Sequence, residues 1–211
     1  MKVTKFGHSC FLIKEDGINI VVDPGVYSSQ QNNMKGIDLV LITHNHKDHC
    51  DIYSVKAIIA NNPEVKIATN SETGNMLEKE GISFELIEDK RNYLYKNVLI
   101  EGFGDKHAFI YDETPKTQNT GYFIGHKLFF PGDSLYNPQR PVPILALPVA
   151  GPWVKTAETI KYAKEINPAV CFPLHDGMLE STALIHRLVS ESLAQDGIKF
   201  VPIKIGEETV L

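Results

Sequence analysis

The run Thr43-His44-Asn45-His46-Lys47-Asp48-His49 sets three histidines and an aspartate within six positions, directly behind the apolar stretch Leu39-Val40-Leu41-Ile42. Imidazole nitrogen and carboxylate oxygen suit zinc, manganese and iron. Residues two apart on an extended segment point the same way, so His44 and His46 can grip one ion. A helix entered immediately afterwards would project Asp48 and His49 from its first turn towards a second ion. Thr43 and Asp51 then fit as partners that fix ligand orientation. Such a density of ligands behind a buried strand is not the pattern of a polar surface loop.

The elements around this run must deliver it. Val3 to Phe6, Cys10 to Lys14 and Ile18 to Val22 read as short strands, the last two joined by the hairpin signal Asp16-Gly17. Leu39 to Ile42 reads as a buried strand. Elements then alternate. Helices are expected at Ser54 to Asn61, Glu72 to Glu80, Thr156 to Glu165 and Glu180 to Ala194. Strands are expected at Val65 to Ala68, Phe84 to Ile87, Val98 to Phe103, Ile144 to Leu147 and Val170 to Phe172. A second hairpin, Tyr122 to Ile124 and Lys127 to Phe130, turns at Gly125-His126. Two strand-rich segments, each followed by helices, predict two stacked sheets covered by helices within one α/β domain spanning residues 1–211.

Composition bounds the partners. The 211 residues are 43% hydrophobic and 22% charged, as in an ordinary globular chain, and the formal charge of -5 offers no footprint for sequence-specific nucleic acid. No stretch reaches the ~18 apolar residues of a membrane span, and no export signal is visible. Cys10, Cys50 and Cys171 are scattered and odd in number, unlike a disulfide framework, so a cytoplasmic location is expected.

The sequence His44-Asn45-His46-Lys47-Asp48-His49 matches the HxHxDH motif of the metallo-β-lactamase-fold hydrolases. Gly7-His8-Ser9-Cys10-Phe11, followed by Val22-Asp23-Pro24, resembles the opening of that superfamily's short, lactonase-like branch, often described as predicted metal-dependent hydrolases. Phe130-Pro131-Gly132-Asp133 is similar to its bridging-aspartate motif and Phe172-Pro173-Leu174-His175 to its last metal-histidine motif. The resemblance runs from Gly7 to His175 and into the final helix. It implies an αββα sandwich of two mixed β-sheets flanked by helices, and a dinuclear metal site. His107 and His126 compete for one further ligand position. His107, just past the strand Val98 to Phe103, fits it, whereas His126 sits at a hairpin tip.

By this resemblance His44, His46 and His107 hold one ion, Asp48, His49 and His175 hold the other, and Asp133 bridges them. Zinc is expected, with manganese or iron as alternatives. Ions so placed would lower the pKa of a water and polarise the bond under attack, with Asp48 able to orient that water and receive its proton. The implied reaction is hydrolysis of an ester, lactone or phosphodiester. His8 reads either as a packed histidine or as a catalytic or orienting group beside the site. Asp23 reads as a turn cap, an orienting group for a ligand histidine, or both. Cys50 and Cys171 read as packing, Trp153 and Tyr27 either as lids on the core or as substrate contacts, and Lys155 as a substrate contact. Two rivals share the fold: a di-iron oxidoreductase, whose usual flavin domain has no room after Leu211, and a non-catalytic metal-binding protein, which should have lost ligands.

Overall fold

A computed structural model describes residues 1–111 and 117–211, and the alternation of side chains along its buried strands explains the layers. In β4 (Leu39–Ile42), Leu39 and Leu41 point into a core between two sheets, while Val40 and Ile42 point into a second core beneath helices. A strand covered on both faces has no polar side, hence the continuous apolar run. Ile144 to Leu147 behaves alike: Ile144 and Ala146 enter the inter-sheet core, Leu145 and Leu147 a third core under the other helices.

The first sheet begins as an antiparallel meander of β1 (Lys2–Gly7), β2 (Cys10–Glu15) and β3 (Ile18–Val22). Asp16 and Gly17 both take positive φ, as the tight hairpin requires. β4, β5 (Lys66–Thr69) and β6 (Glu85–Leu86) continue it in parallel, with α1 (Ile52–Asn61) and α2 (Ser71–Lys79) between them. The second sheet repeats this plan. β7 (Asn92–Tyr95), β8 (Val98–Phe103), β9 (Gly121–Ile124) and β10 (Leu128–Phe130) are antiparallel. β11 (Ile144–Pro148), β12 (Val170–Leu174) and β13 (Lys199–Phe200) follow in parallel, with α3 (Thr156–Ile166) and α4 (Ala183–Ala194). β14 (Glu208–Val210) returns to pair with β1, so among the described residues each sheet has seven strands.

Phe11, Phe130 and Phe172 meet between the sheets, with ring centroids 6.0 and 5.2 Å from Phe11. Val55 and Ile58 of α1 and Leu77 of α2 cover one outer face; Tyr162, Ala163, Val189 and Leu193 of α3 and α4 cover the other. The architecture is therefore the expected αββα sandwich. Among the described residues no helix is long and apolar enough to cross a membrane. All three cysteines are buried and unpaired, and burial pushes each thiol up to about 12.

The structure departs from expectation beyond the histidine run. The chain makes turns there, and α1 starts only at Ile52. Asp51 caps that helix: its carboxylate accepts from the Ser54 amide (3.0 Å) and hydroxyl (2.7 Å), so it orients no ligand. Asp48 and His49 consequently project from a turn, not from a helix. β7, β13 and β14 were not expected, being edge strands that are short or largely exposed. α4 starts at Ala183 because residues 176–182 run as a loop past His175.

Candidate metal centre

Four strand ends converge. The turn after β4 carries His44 to His49, the stretch after β8 carries His107, the turn after β10 carries Asp133, and the end of β12 carries His175. The first turn is wedged against the one following β3. A Cβ on Gly25 would lie 1.9 Å from the Asp48 carbonyl oxygen, so only glycine lets these backbones meet. Asp23, fully buried beside it, accepts from the Thr43 amide and hydroxyl and from His49 Nδ1, each at 2.8 Å. Asp23 and His175 both take left-handed φ, of 48° and 64°, a strain that aims them into the cluster.

Two groups of potential ligand atoms result. His44, His46, His107 and Asp133 form one, and His8, Asp48, His49 and His175 the other, with the atoms of each within 4.8 Å of one another. Asp133 touches both. Its Oδ2 is 3.3 Å from His107 Nε2, 3.9 Å from His44 Nε2 and 2.9 Å from His175 Nε2, and its Oδ1 is 3.1 Å from His49 Nε2.

Hydrogen bonds to the far side of each ring test whether a cation fits. His49 Nδ1 donates to Asp23, and His107 Nδ1 to the Ala108 carbonyl at 2.6 Å. The Thr43 hydroxyl donates to Asp23, so at 3.0 Å it accepts from His44 Nδ1. With Nδ1 committed outward, Nε2 of each of these rings faces the cluster, where its deprotonated form can ligate a cation. His46 Nε2 lies 3.3 Å from the Thr117 hydroxyl, which leaves Nδ1 available. His44 Nε2, His107 Nε2, Asp133 Oδ1 and both His175 nitrogens are buried with no hydrogen-bond partner among the described residues. Buried nitrogen and oxygen atoms facing one another without partners at this density fit bound cations.

The electrostatics agree. Burial, reinforced by the charge of His49, holds His44 well below the usual histidine range, and burial lowers His46 as well. Both are neutral bases, as a ligand must be. Burial would also lower His175, but the adjacent Asp133 and Asp48 carboxylates raise it to about 9. Without metal, His175 therefore carries a proton across neutral pH, and a cation must displace it. Metal affinity should rise ~tenfold per pH unit for that proton, up to about 9. Chelator competition between pH 6 and 8 would read this slope, and a flat response would refute it. The sign reverses for the metal-free fold: His175 contributes most below its ordinary 6.5, and that contribution is lost as pH rises through about 9.

Of the two competing histidines, the structure brings His107 to the cluster, buried at 5% exposure. His126 sits at the β9–β10 turn, 3.5 Å from Glu101 and away from both groups. Alanine at 107 should cripple metal binding, whereas alanine at 126 should leave metal content and activity near wild type. The reverse result would move the ligand.

Trp153, for which a core lid and a substrate contact were the two readings, is buried, and its Nε1 donates to Asp133 Oδ2 at 3.0 Å. Lys155 is exposed at the start of α3, its amide bonded to Glu158. Tyr27 is half-exposed, its ring 4.9 Å from that of His8. Sequence reasoning missed Asn119. Its Oδ1 accepts from the Asp133 amide (3.0 Å), and its Nδ2 donates to the Pro131 carbonyl (2.9 Å), fixing the turn that presents Asp133. No sequence signal marks that role.

The family described as "Beta-lactamase superfamily domain" matches residues 2–175. Protein Rv0786c of Mycobacterium tuberculosis is 30% identical over 87% of each chain. A UPF0173 metal-dependent hydrolase of Methanosphaera stadtmanae is 26% identical, covering 99% of this chain and 98% of its own. Among solved structures, Igni18, a metallo hydrolase from Ignicoccus hospitalis, superposes with a TM-score of 0.78 at 22% identity, covering 99% of this chain and 97% of its own.

Proposed function

The chain belongs to the β-lactamase superfamily domain family, with the metallo-β-lactamase fold, and from that premise we propose that it is a metal-dependent hydrolase with a dinuclear centre. The observation that carries this reading is the pair of ligand groups meeting at Asp133, with His44 Nε2, His107 Nε2 and both His175 nitrogens buried and without a hydrogen-bond partner among the described residues. His44, His46 and His107 would hold one divalent ion, Asp48, His49 and His175 the other, and Asp133 both. Zinc suits this nitrogen-rich set, and manganese or iron remain the alternatives to assay. Ions bound there supply Lewis acidity, lowering the pKa of a water and polarising the bond it attacks.

The protein's own groups do the rest. Asp48 is 23% exposed, the most open of these carboxylates, and its Oδ2 lies 3.5 Å from His175 Nε2. Burial alone would raise its pKa, but the adjacent His175 ring and the hydrogen bond from His8 lower it, so it is an ionised acceptor at neutral pH. That makes Asp48 the group to orient the attacking water and take its proton. The substrate is a small molecule with an ester, lactone or phosphodiester bond. Both sheets contribute ligands, which supports treating residues 1–211 as one hydrolase domain. Three buried, unpaired thiols suit a reducing compartment, the cytoplasm.

The test is metal analysis of the purified protein with a screen of esters, lactones and phosphodiesters under zinc, manganese and iron. Close to two transition-metal ions per chain are expected, with fewer in the His44→Ala/His46→Ala double variant. Full metal retention in that variant would overturn the centre. A metal-loaded protein inert on all three bond types would point to a non-catalytic role.

A further inference from the structure

Proximity alone groups His8 with Asp48, His49 and His175 as a possible ligand. Its hydrogen bonds exclude that role, and we propose instead that His8 positions Asp48. His8 occupies the turn between β1 and β2 with a φ of 30°, left-handed and buried at 1% exposure. Its Nδ1 accepts from the Gly177 amide at 3.1 Å. A proton on Nδ1 would set two N–H donors head to head, so Nδ1 keeps its lone pair and the ring proton sits on Nε2. That nitrogen lies 3.2 Å from Asp48 Oδ2 and donates to it. Both nitrogens are thus committed, and neither has a lone pair left for a cation. His44, His49 and His107 show the opposite tautomer, with Nδ1 donating outward.

The ring is held from the other sheet. The His175 amide donates to the His8 carbonyl at 3.2 Å, and a Cβ on Gly177 would lie 2.7 Å from the His8 nitrogen. Only glycine lets the loop after β12 come close enough to fix the tautomer. His8 therefore clasps the two strand ends and locks the rotation of a carboxylate that is otherwise partly open to solvent. This role rests on the reading of Asp48 as the group acting on the water, and the measurements below include one that needs no substrate.

The experiment compares His8→Leu, His8→Gln and Gly177→Ala in the full-length, metal-saturated protein, with folding checked by circular dichroism. Zinc content, the visible spectrum of the cobalt-substituted protein, kcat and KM are read. All three should bind as much metal as wild type. His8→Leu should lose about 10- to 100-fold in kcat at unchanged KM, as loss of a ligand-orienting partner does. Its cobalt band should shift, because the Asp48 carboxylate is freed to turn. Glutamine can place an amide N–H near Oδ2, so His8→Gln should recover most of the turnover and the wild-type band. Gly177→Ala should reproduce the leucine result with His8 intact. Loss of one metal equivalent from folded His8→Gln would make His8 a ligand and overturn the proposal. So would a His8→Leu protein with unchanged kcat and cobalt band. Metal content and spectrum decide this even if no hydrolysable substrate is found.

Discussion

Asp48→Asn should fold and bind metal at saturating concentration, yet lose about 10²–10⁴-fold in turnover, the range general-base catalysis supplies. Asparagine is nearly isosteric, so the turn wedged against Gly25 survives. It is neutral, however, and its amide cannot take a proton from water. The surroundings sharpen the contrast. Asp48 Oδ2 faces His8, His49 and His175 within 3.8 Å, an environment built for an anion. An amide oxygen there keeps the His8 hydrogen bond but lacks the charge. The comparison requires metal-saturated enzyme and whichever ester, lactone or phosphodiester the screen identifies. Unchanged turnover at full metal occupancy would remove Asp48 from the chemistry while leaving the fold and family standing.

The centre was legible in the sequence wherever its chemistry is local. Ligands crowded into one turn declare themselves by spacing, and the buried strand ahead of them declares itself by having no polar face. His107 was separable from His126 by the same logic, since a strand end on a sandwich edge can converge and a hairpin tip cannot. What stayed hidden are contacts between distant residues. Nothing near Trp153 or Asn119 announces that both serve Asp133, 20 and 14 positions away. The His8–Gly177 hydrogen bond spans 169 positions. Asp51 failed for another reason. Its place three residues before Ser54 is a helix-capping signal, and proximity to the histidines obscured it. The edge strands were missed because β7 exposes alternate residues and β13 is two residues long.

Those hidden contacts set the last expected result. Asp133→Asn should weaken binding of at least one ion by on the order of 10²–10³-fold, as removing one partner of a buried charge pair does. Turnover should fall with it. Asp133 is 2% exposed and is the carboxylate within reach of both ligand groups, four imidazoles lying within 3.9 Å of it. Burial would raise its pKa, but the charge of His49 and the adjacent His107 and His175 rings hold it well below the usual carboxylate range. It is therefore a fixed negative charge amid neutral and positive rings, and asparagine removes the charge while keeping the shape. Asn119 still grips the backbone amide, and an amide oxygen can still accept from Trp153, so a loss of metal would report the charge and not a collapsed turn. The metal-free variant supplies an independent check. Without that anion His175 should titrate below about 9, flattening the pH dependence of metal affinity. Wild-type metal content and turnover in Asp133→Asn would mean that the two groups bind independently, and would remove the bridge from the centre.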